Sequence, residues 1–427
     1  MKRHTIRSIG ASIVAAVLLL AGSSVPRAQT TTDTAAPVFD DSVVQSIYLT
    51  INTRDWSTLQ VNYLDNTYYP CDFRFNGQST VRNIGIRSRG TGSRNPTKPG
   101  LRVDFNRYTD QQTFMGLKSI ILRNQTQDPS NMHERISMQL FARLGVKVSR
   151  EAFTRLYINN VYSGLYSIVE SVDKTFLAKN FDDGDGHLYK YDYNPDDQPW
   201  YFADKGSDPA LYVPHPFKPE TNEDDPQPEK IVELVRPVSN DSDAVWRTNI
   251  DPYINWDNFL RHIAIENVLA DQDGFNGEYG INNFYLYRLH NQNTFVWIPW
   301  DKSEAFKNPP TQTIWNHILD GDPARRNKLS GRAMTSPDLQ SKYLDFLVAA
   351  ANSLGQLDAT TPSDTRGWME REIEREYAQI KDLVYTDPSK PFTNDQFEAD
   401  VAMLRTFAQQ RPKFVTDAVA EWRKSRP

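Results

Sequence analysis

The stretch Ala270-Asp271-Gln272-Asp273-Gly274-Phe275, followed by Ile281-Asn282-Asn283-Phe284-Tyr285-Leu286-Tyr287 and by Phe295-Val296-Trp297-Ile298-Pro299-Trp300-Asp301-Lys302-Ser303-Glu304-Ala305-Phe306, reads as loop, strand, turn, strand, loop. Aromatic and apolar residues at 284–287 and 295–298 suit strands. The polar residues 290–294 suit a turn, and Pro299 ends the second strand because it has no N–H for a ladder. A hairpin returns its two flanking loops to the same end of a sheet. Asp271 and Asp273 on one loop then face Asp301 on the other, with the amides of Asn282 and Asn283 beside them. Carboxylates this close are anionic near neutral pH and repel one another unless a cation lies between them. Oxygen-only ligands suit Mg²⁺ or Ca²⁺. Asp-Gly and Asn-Asn are also ordinary turn chemistry, so the rest of the chain has to decide.

The chain opens with Lys2, Arg3 and Arg7, an apolar run over 13–21 and Val25-Pro26-Arg27-Ala28, the pattern of a secretory signal peptide cleaved near Ala28. That run is too short for a comfortable membrane span, and no later run is longer. Without the leader's four basic residues, 44 Lys+Arg stand against 54 Asp+Glu, a net charge of −10. An acidic secreted chain is a poor binder of nucleic acid. Cys71 is the only cysteine, which excludes an internal disulfide and thiolate metal clusters.

Residues 30–41 read as a disordered Thr/Asp/Ala/Pro linker. A strand is expected over 43–51, then a short helix over 55–63 with Thr53 as its cap. Strands over 71–75 and 84–87 flank the Asn76-Gly77 turn. The basic, glycine-bearing loop Arg87-Ser88-Arg89-Gly90-Thr91-Gly92-Ser93-Arg94-Asn95 leads to Lys98 and a strand over 101–105. Such a loop lets backbone N–H groups approach phosphate oxygens, though this segment taken alone reads more simply as a mobile surface hairpin. A helix begins at Ser130 and is closed by Gly145. A hairpin over 153–170 and a strand-like run over 187–193 follow. Residues 194–229 turn rich in Pro, Asp and Gly with scattered aromatics. Residues 181–186 lack calcium-loop spacing and read as a turn. Helices are expected over 259–268, 336–354, 366–384 and 394–423. The outline is α+β, strand-rich first and helix-rich second, with basic groups on the first half and acidic groups on the second.

Several of these segments, in order, resemble the CotH kinase family of spore-coat CotH-like proteins. They are Arg87-Ser88-Arg89-Gly90, Lys98 with Leu101-Arg102-Val103-Asp104-Phe105, Met115-Gly116-Leu117-Lys118, Glu134-Arg135-Ile136-Ser137, Leu156-Tyr157-Ile158-Asn159-Asn160 through Tyr166, Asp273, and Trp300-Asp301 with Ala305-Phe306. The resemblance implies a two-lobed, atypical protein-kinase-like fold in a secreted bacterial member. The strand-rich N-lobe is 43–193, an insertion 194–244, and the helical C-lobe 245–427. It further implies a monomeric enzyme that uses ATP and Mg²⁺ to phosphorylate Ser or Thr of an extracytoplasmic protein. Arg89 and Gly90 then cover the nucleotide phosphates. Lys98 pairs with the α- and β-phosphates, and Glu134 or Glu170 is its acidic partner. Asp273 is the catalytic aspartate, while Asp301, Asn283 or Asn282, and Asp271 serve the metal. The chain departs from the family in having Ser303 where many members carry an acidic residue, with Glu304 next to it. A non-catalytic binding scaffold on the same fold and a carboxylate-pair glycoside hydrolase are the alternatives. The kinase reading requires Lys98 to face Asp273 and Asp301 across a gap.

Overall fold

Seven strands close into a barrel in the computed structural model, which describes Met1 and residues 33–426 apart from 182, 193 and 195. The expected leader and its cleavage point lie outside the described residues. The described residues from Ala35 on form one compact unit. The barrel strands are β1 (Gln45–Ile51), β2 (Tyr69–Phe75), β3 (Ser79–Ser88), β4 (Leu101–Asp104), β5 (Ser119–Arg123), β6 (Glu151–Ile158) and β7 (Val161–Glu170), in the order β1-β2-β3-β4-β5-β7-β6. Neighbours are antiparallel except at the closing seam, where β1 runs parallel to β6 with Gln45 opposite Thr154. Alternate side chains such as Ile47, Leu49, Phe73, Ile84, Ile86, Val103 and Leu156 fill the interior.

The end of the expected linker is ordered. Residues Ala36–Phe39 form a 3₁₀ turn that buries Val38 and Phe39 against the barrel core. The helix α1 (Thr53–Val61) is capped by Asn52, whose side chain accepts from the Arg54 N–H, rather than by Thr53. The helix α2 (His133–Arg143) lies between β5 and β6 in the chain and starts three residues later than expected. The Asp128 carboxylate takes the N–H groups of Asn131 and His133 and so holds the preceding turn out of the helix.

After the short helix α3 (Lys174–Asn180), β8 (His187–Tyr191) and β9 (Phe217–Pro219) begin a second sheet, and α4 (Glu229–Asn240), α5 (Trp246–Ile250) and α6 (Trp256–Val268) follow. The hairpin of β10 (Phe284–Arg288) and β11 (Phe295–Pro299) completes that sheet in the order β11-β10-β8-β9. Residues 194–244 are therefore woven into this half through β9 and α4. Every residue of β10 and β11 is buried, as in a sheet covered on both faces. Asn258 of α6 satisfies the outer edge of β11, giving Nδ2–H to the Trp297 carbonyl and accepting the Trp297 N–H. The chain ends in α7 (Lys328–Ala333), α8 (Pro337–Leu354), α9 (Trp368–Tyr385) and α10 (Asn394–Ser425), close to the helices expected there. Arg411 of α10 is fully buried and donates to the carbonyls of Asn267 and Val268, closing the end of α6 that delivers Asp271. Among the described residues no helix is long and apolar enough to cross a membrane.

Candidate functional site

A polar cavity of about 880 Å³ is lined by the loop after β3, the start of the segment leaving β7, β8, the residues after β9, and both loops flanking the β10–β11 hairpin. Asp273, Asn282, Asn283, Trp300, Asp301 and Ser303 line it together with Arg89 and Gly90. Of the groups expected to converge, Asp273, Asp301 and the two asparagines share this lining, and Asp271 does not.

Asp273 is held by two amides. Asn282 Nδ2 lies 3.0 and 3.1 Å from its two oxygens, and Asn283 Nδ2 lies 2.9 Å from Oδ2. Burial, with the charges of Asp271 and Asp301, pushes Asp273 up to about 7 against the pull of the Asn282 hydrogen bond. Asp301 goes the other way. Burial raises it, but Arg123 and Arg89 outweigh burial and hold it below the usual carboxylate range. Its Oδ2 accepts from Arg123 Nη1 at 2.6 Å and its Oδ1 from Ser303 Oγ at 3.1 Å. Its backbone is left-handed, φ 49°, a strain that clusters at functional positions. The cavity therefore holds one carboxylate poised to carry a proton near neutral pH and one kept ionised.

The two acidic loops are tied together behind the cavity by Lys302. Its fully buried ammonium lies 2.6 Å from Glu266 and 3.0 Å from Asp271. Burial lowers Lys302, but the two carboxylates outweigh burial and it remains a cation. Asp271 in turn accepts the Asp273 N–H at 3.0 Å. Asp271 is therefore a lysine partner and not a lining group, which corrects its expected metal role. Replacing Lys302 by methionine strands two buried carboxylates. The expected cost is about 3–5 kcal/mol of stability, read as a lower urea midpoint, together with loss of the Asp273 geometry.

Lys98 does not face the aspartates. It is fully buried in the loop before β4, with Asn95 Oδ1 on its N–H and Asn124 Nδ2 on its carbonyl. Its ammonium meets Asp387 at 2.7 Å, with the Tyr166 ring 5.3 Å away. Asp387, in the turn after α9, also takes the Leu165 N–H. A Cβ on Gly164 would lie 2.5 Å from Asp387 Oδ1, so this position of β7 has to be glycine. Lys98 is a pin between the barrel and the C-terminal helices. Glu170 is likewise outside the cavity. Its carboxylate takes Arg150 Nε at 2.9 Å and Nη2 at 2.5 Å, clasping the end of β7 to the start of β6.

The cationic side comes from arginines. Arg89 lies 5.7 Å from the centre of the Trp300 ring, and Arg123 lies 5.3 Å from the same ring. Burial and the neighbouring Arg123 push Arg89 down to about 10. Arg123 forms an ion pair with Glu134, the second residue of α2, which is fully buried behind it. Burial pushes Glu134 up to about 7, against the pull of Arg123. Glu134 thus has a cationic partner, but the partner is Arg123 and not Lys98. The sequence signal for Arg123 was a charged residue ending the apolar run Ile120-Ile121-Leu122, eleven positions before Glu134. Glu304 is absent from the cavity lining, so Ser303 stands alone at that place.

One further group sits behind the Asp301 loop. His133 Nδ1 is 3.1 Å from the Ser303 carbonyl, and its Nε2 is 3.1 Å from Asp400 and 3.6 Å from Asp128. Burial lowers His133, but the Asp128 and Asp400 carboxylates outweigh it and raise it, and the ring clasps the loop after Asp301 to α2.

The family model described as CotH kinase protein matches residues 86–415. The inner spore coat protein H of Bacillus subtilis is 23% identical over 372 residues, covering 86% of this chain and 96% of its own. The spore coat protein homolog 1 of Rhizopus delemar is 22% identical over 290 residues, covering 64% of this chain and 44% of its own. Among solved structures, a Helicobacter pylori proinflammatory kinase, CtkA, covers 75% of this chain and 92% of its own at 11% identity and a TM-score of 0.26, a likeness that does not define the fold. The family match spans most of the chain, including both loops that flank the β10–β11 hairpin and the loop after β3, and the chain belongs to the CotH kinase family.

Proposed function

We propose that the protein is a phosphotransferase that moves a phosphoryl group from ATP, with Mg²⁺, to a Ser or Thr hydroxyl of an extracytoplasmic protein. The observation that carries this reading is that Asp273, Asp301 and Arg89 line one cavity, with the Arg123–Glu134 pair beside it. The facing cation expected of Lys98 is spent on Asp387, and in this reading the arginines take its place. In this reading the barrel is the first lobe and the second sheet with its helices is the other. Phosphoryl transfer asks a protein mainly to position groups and neutralise charge. Asp273, titrating near neutrality, accepts the hydroxyl proton. Asn282 and Asn283 aim its carboxylate at the acceptor. Arg89 and the Gly90 backbone hold phosphate oxygens. Gly90 is left-handed, φ 112°, and a Cβ there would lie 2.5 Å from Ser93 Oγ, so the turn requires glycine.

Asp301 and Asn283 suit a hard divalent cation. Asp301 is kept ionised, and the Asn283 amide oxygen accepts no hydrogen bond from the described residues. When bound, such a cation supplies charge neutralisation at the transferring phosphoryl group. The spore-coat names of the relatives support a coat or extracellular location.

The test is incubation of the purified chain with γ-labelled ATP, Mg²⁺ and candidate acceptor proteins. Wild type is expected to transfer label and Asp273→Ala to transfer none. Equal labelling by both overturns the catalytic assignment. Nucleotide binding without transfer by wild type favours a binding scaffold instead.

A further inference from the structure

We infer that Arg123 and Asp301 form an internal ion pair that masks the nucleotide site, and that Arg123 is the residue of the barrel that receives the nucleotide's phosphate when the pair opens. The inference rests on the phosphotransferase reading and adds to it the order in which charges exchange partners.

Four observations carry it. Arg123 ends β5, is 4% exposed, and lies against Trp300 and Asp301, both of which line the cavity. One terminal nitrogen, Nη1, is spent on Asp301 at 2.6 Å. The other, Nη2, is buried with no hydrogen-bond partner among the described residues. Glu134 holds the guanidinium from α2, so Arg123 keeps a counter-charge if Asp301 leaves. A buried arginine donor without an acceptor is costly, and a phosphate oxygen is the acceptor its planar fork best fits.

The two halves of the pair have opposite tastes. Asp301 suits a divalent cation and Arg123 suits a phosphate, and each now satisfies the other. A metal–nucleotide complex offers both replacements at once. Asp301 turns to the cation, and its departure exposes Nη1 and Nη2 to the phosphate. A nucleotide without its cation finds Arg123 still engaged. The pair thus selects the metal-bound nucleotide over the bare one by competition inside the protein.

The measurement is the affinity of a non-hydrolysable ATP analogue by calorimetry, in excess Mg²⁺ and again in EDTA. Wild type is expected to bind in Mg²⁺ and weakly in EDTA. Asp301→Asn, which frees Arg123, is expected to bind the analogue in EDTA roughly tenfold more tightly than wild type and to lose the Mg²⁺ enhancement. Asp301→Asn with Arg123→Gln is expected to erase that gain. Asp273→Asn removes a neighbouring negative charge without touching Arg123 and is expected to gain little. An equal gain in Asp273→Asn, or a gain that survives in the double variant, means that bulk charge is responsible and overturns the inference while leaving the phosphotransferase reading standing. No binding by wild type in Mg²⁺ overturns that reading itself. Melting curves on the same samples identify unfolded variants, and the Asp273→Asn comparison decides the matter if the double variant does not fold.

Discussion

Asp273→Asn is expected to be more stable than wild type at pH 8 and nearly inert as a phosphotransferase. An aspartate in the unfolded chain titrates near 3.9, whereas burial lifts Asp273 to about 7. The folded state therefore binds a proton that the unfolded state has released between those two values. That proton contributes relative stability below about pH 4, and the contribution is lost as pH rises through about 7. Above pH 7 the wild-type chain carries a charge in a poorly hydrated place, and asparagine does not. The full shift corresponds to about 4 kcal/mol, which solvent at this partly exposed position reduces to about 1–2 kcal/mol. An asparagine oxygen placed where Asp273 Oδ2 stands keeps both amide donors of Asn282 and Asn283. Denaturant midpoints should therefore separate at pH 8 and draw together as pH falls through about 7 toward about 4. Loss of the proton acceptor should lower transfer by roughly 10²–10⁴-fold. Equal midpoints at pH 8 would remove the charge from the argument, and retained transfer would remove the base.

Lys98→Met is expected to cost about 3–5 kcal/mol, because it leaves Asp387 buried without its cation. The distinguishing measurement is nucleotide affinity in the folded fraction. If Lys98 is a pin, affinity is unchanged. If Lys98 receives phosphate, affinity collapses while stability changes little. Adding Asp387→Asn removes the stranded charge and should recover part of the loss, a coupling that a double-mutant cycle reads directly. A Lys98→Met protein as stable as wild type would contradict the geometry of the β7 contact, where Gly164 and the Leu165 N–H already converge on Asp387.

The hairpin at 284–299 was legible because its residues carry their own instructions: aromatic and branched side chains for extension, polar residues for the turn, proline to stop. The C-terminal helices were legible from their periodicity. Lys98 was misplaced for a physical reason. A lysine after a glycine-rich loop shows that a cation is near, but which way it turns depends on Asp387, nearly three hundred residues later. Arg123 was missed because β5 is buried on every side, so its sequence shows no alternation, and the charge that ends its apolar run does not say which group it meets. Asp271 looked like a ligand because sequence adjacency to Asp273 hides that its carboxylate is taken by Lys302. The barrel itself was illegible, since its closure rests on Gln45 meeting Thr154, a pairing with no local signature. The ordered turn at Ala36–Phe39 was read as linker because two apolar residues in a polar segment carry little weight until a core is present to receive them.

A sheet wrapped fully around on itself offers no unpaired row of N–H and C=O groups. A visiting polypeptide cannot extend this one by lying alongside as an extra strand. Any protein that meets the barrel must do so through loops and side-chain tips, which ties recognition to surface chemistry rather than backbone register. The same closure guards the barrel against sticking to neighbouring proteins strand by strand.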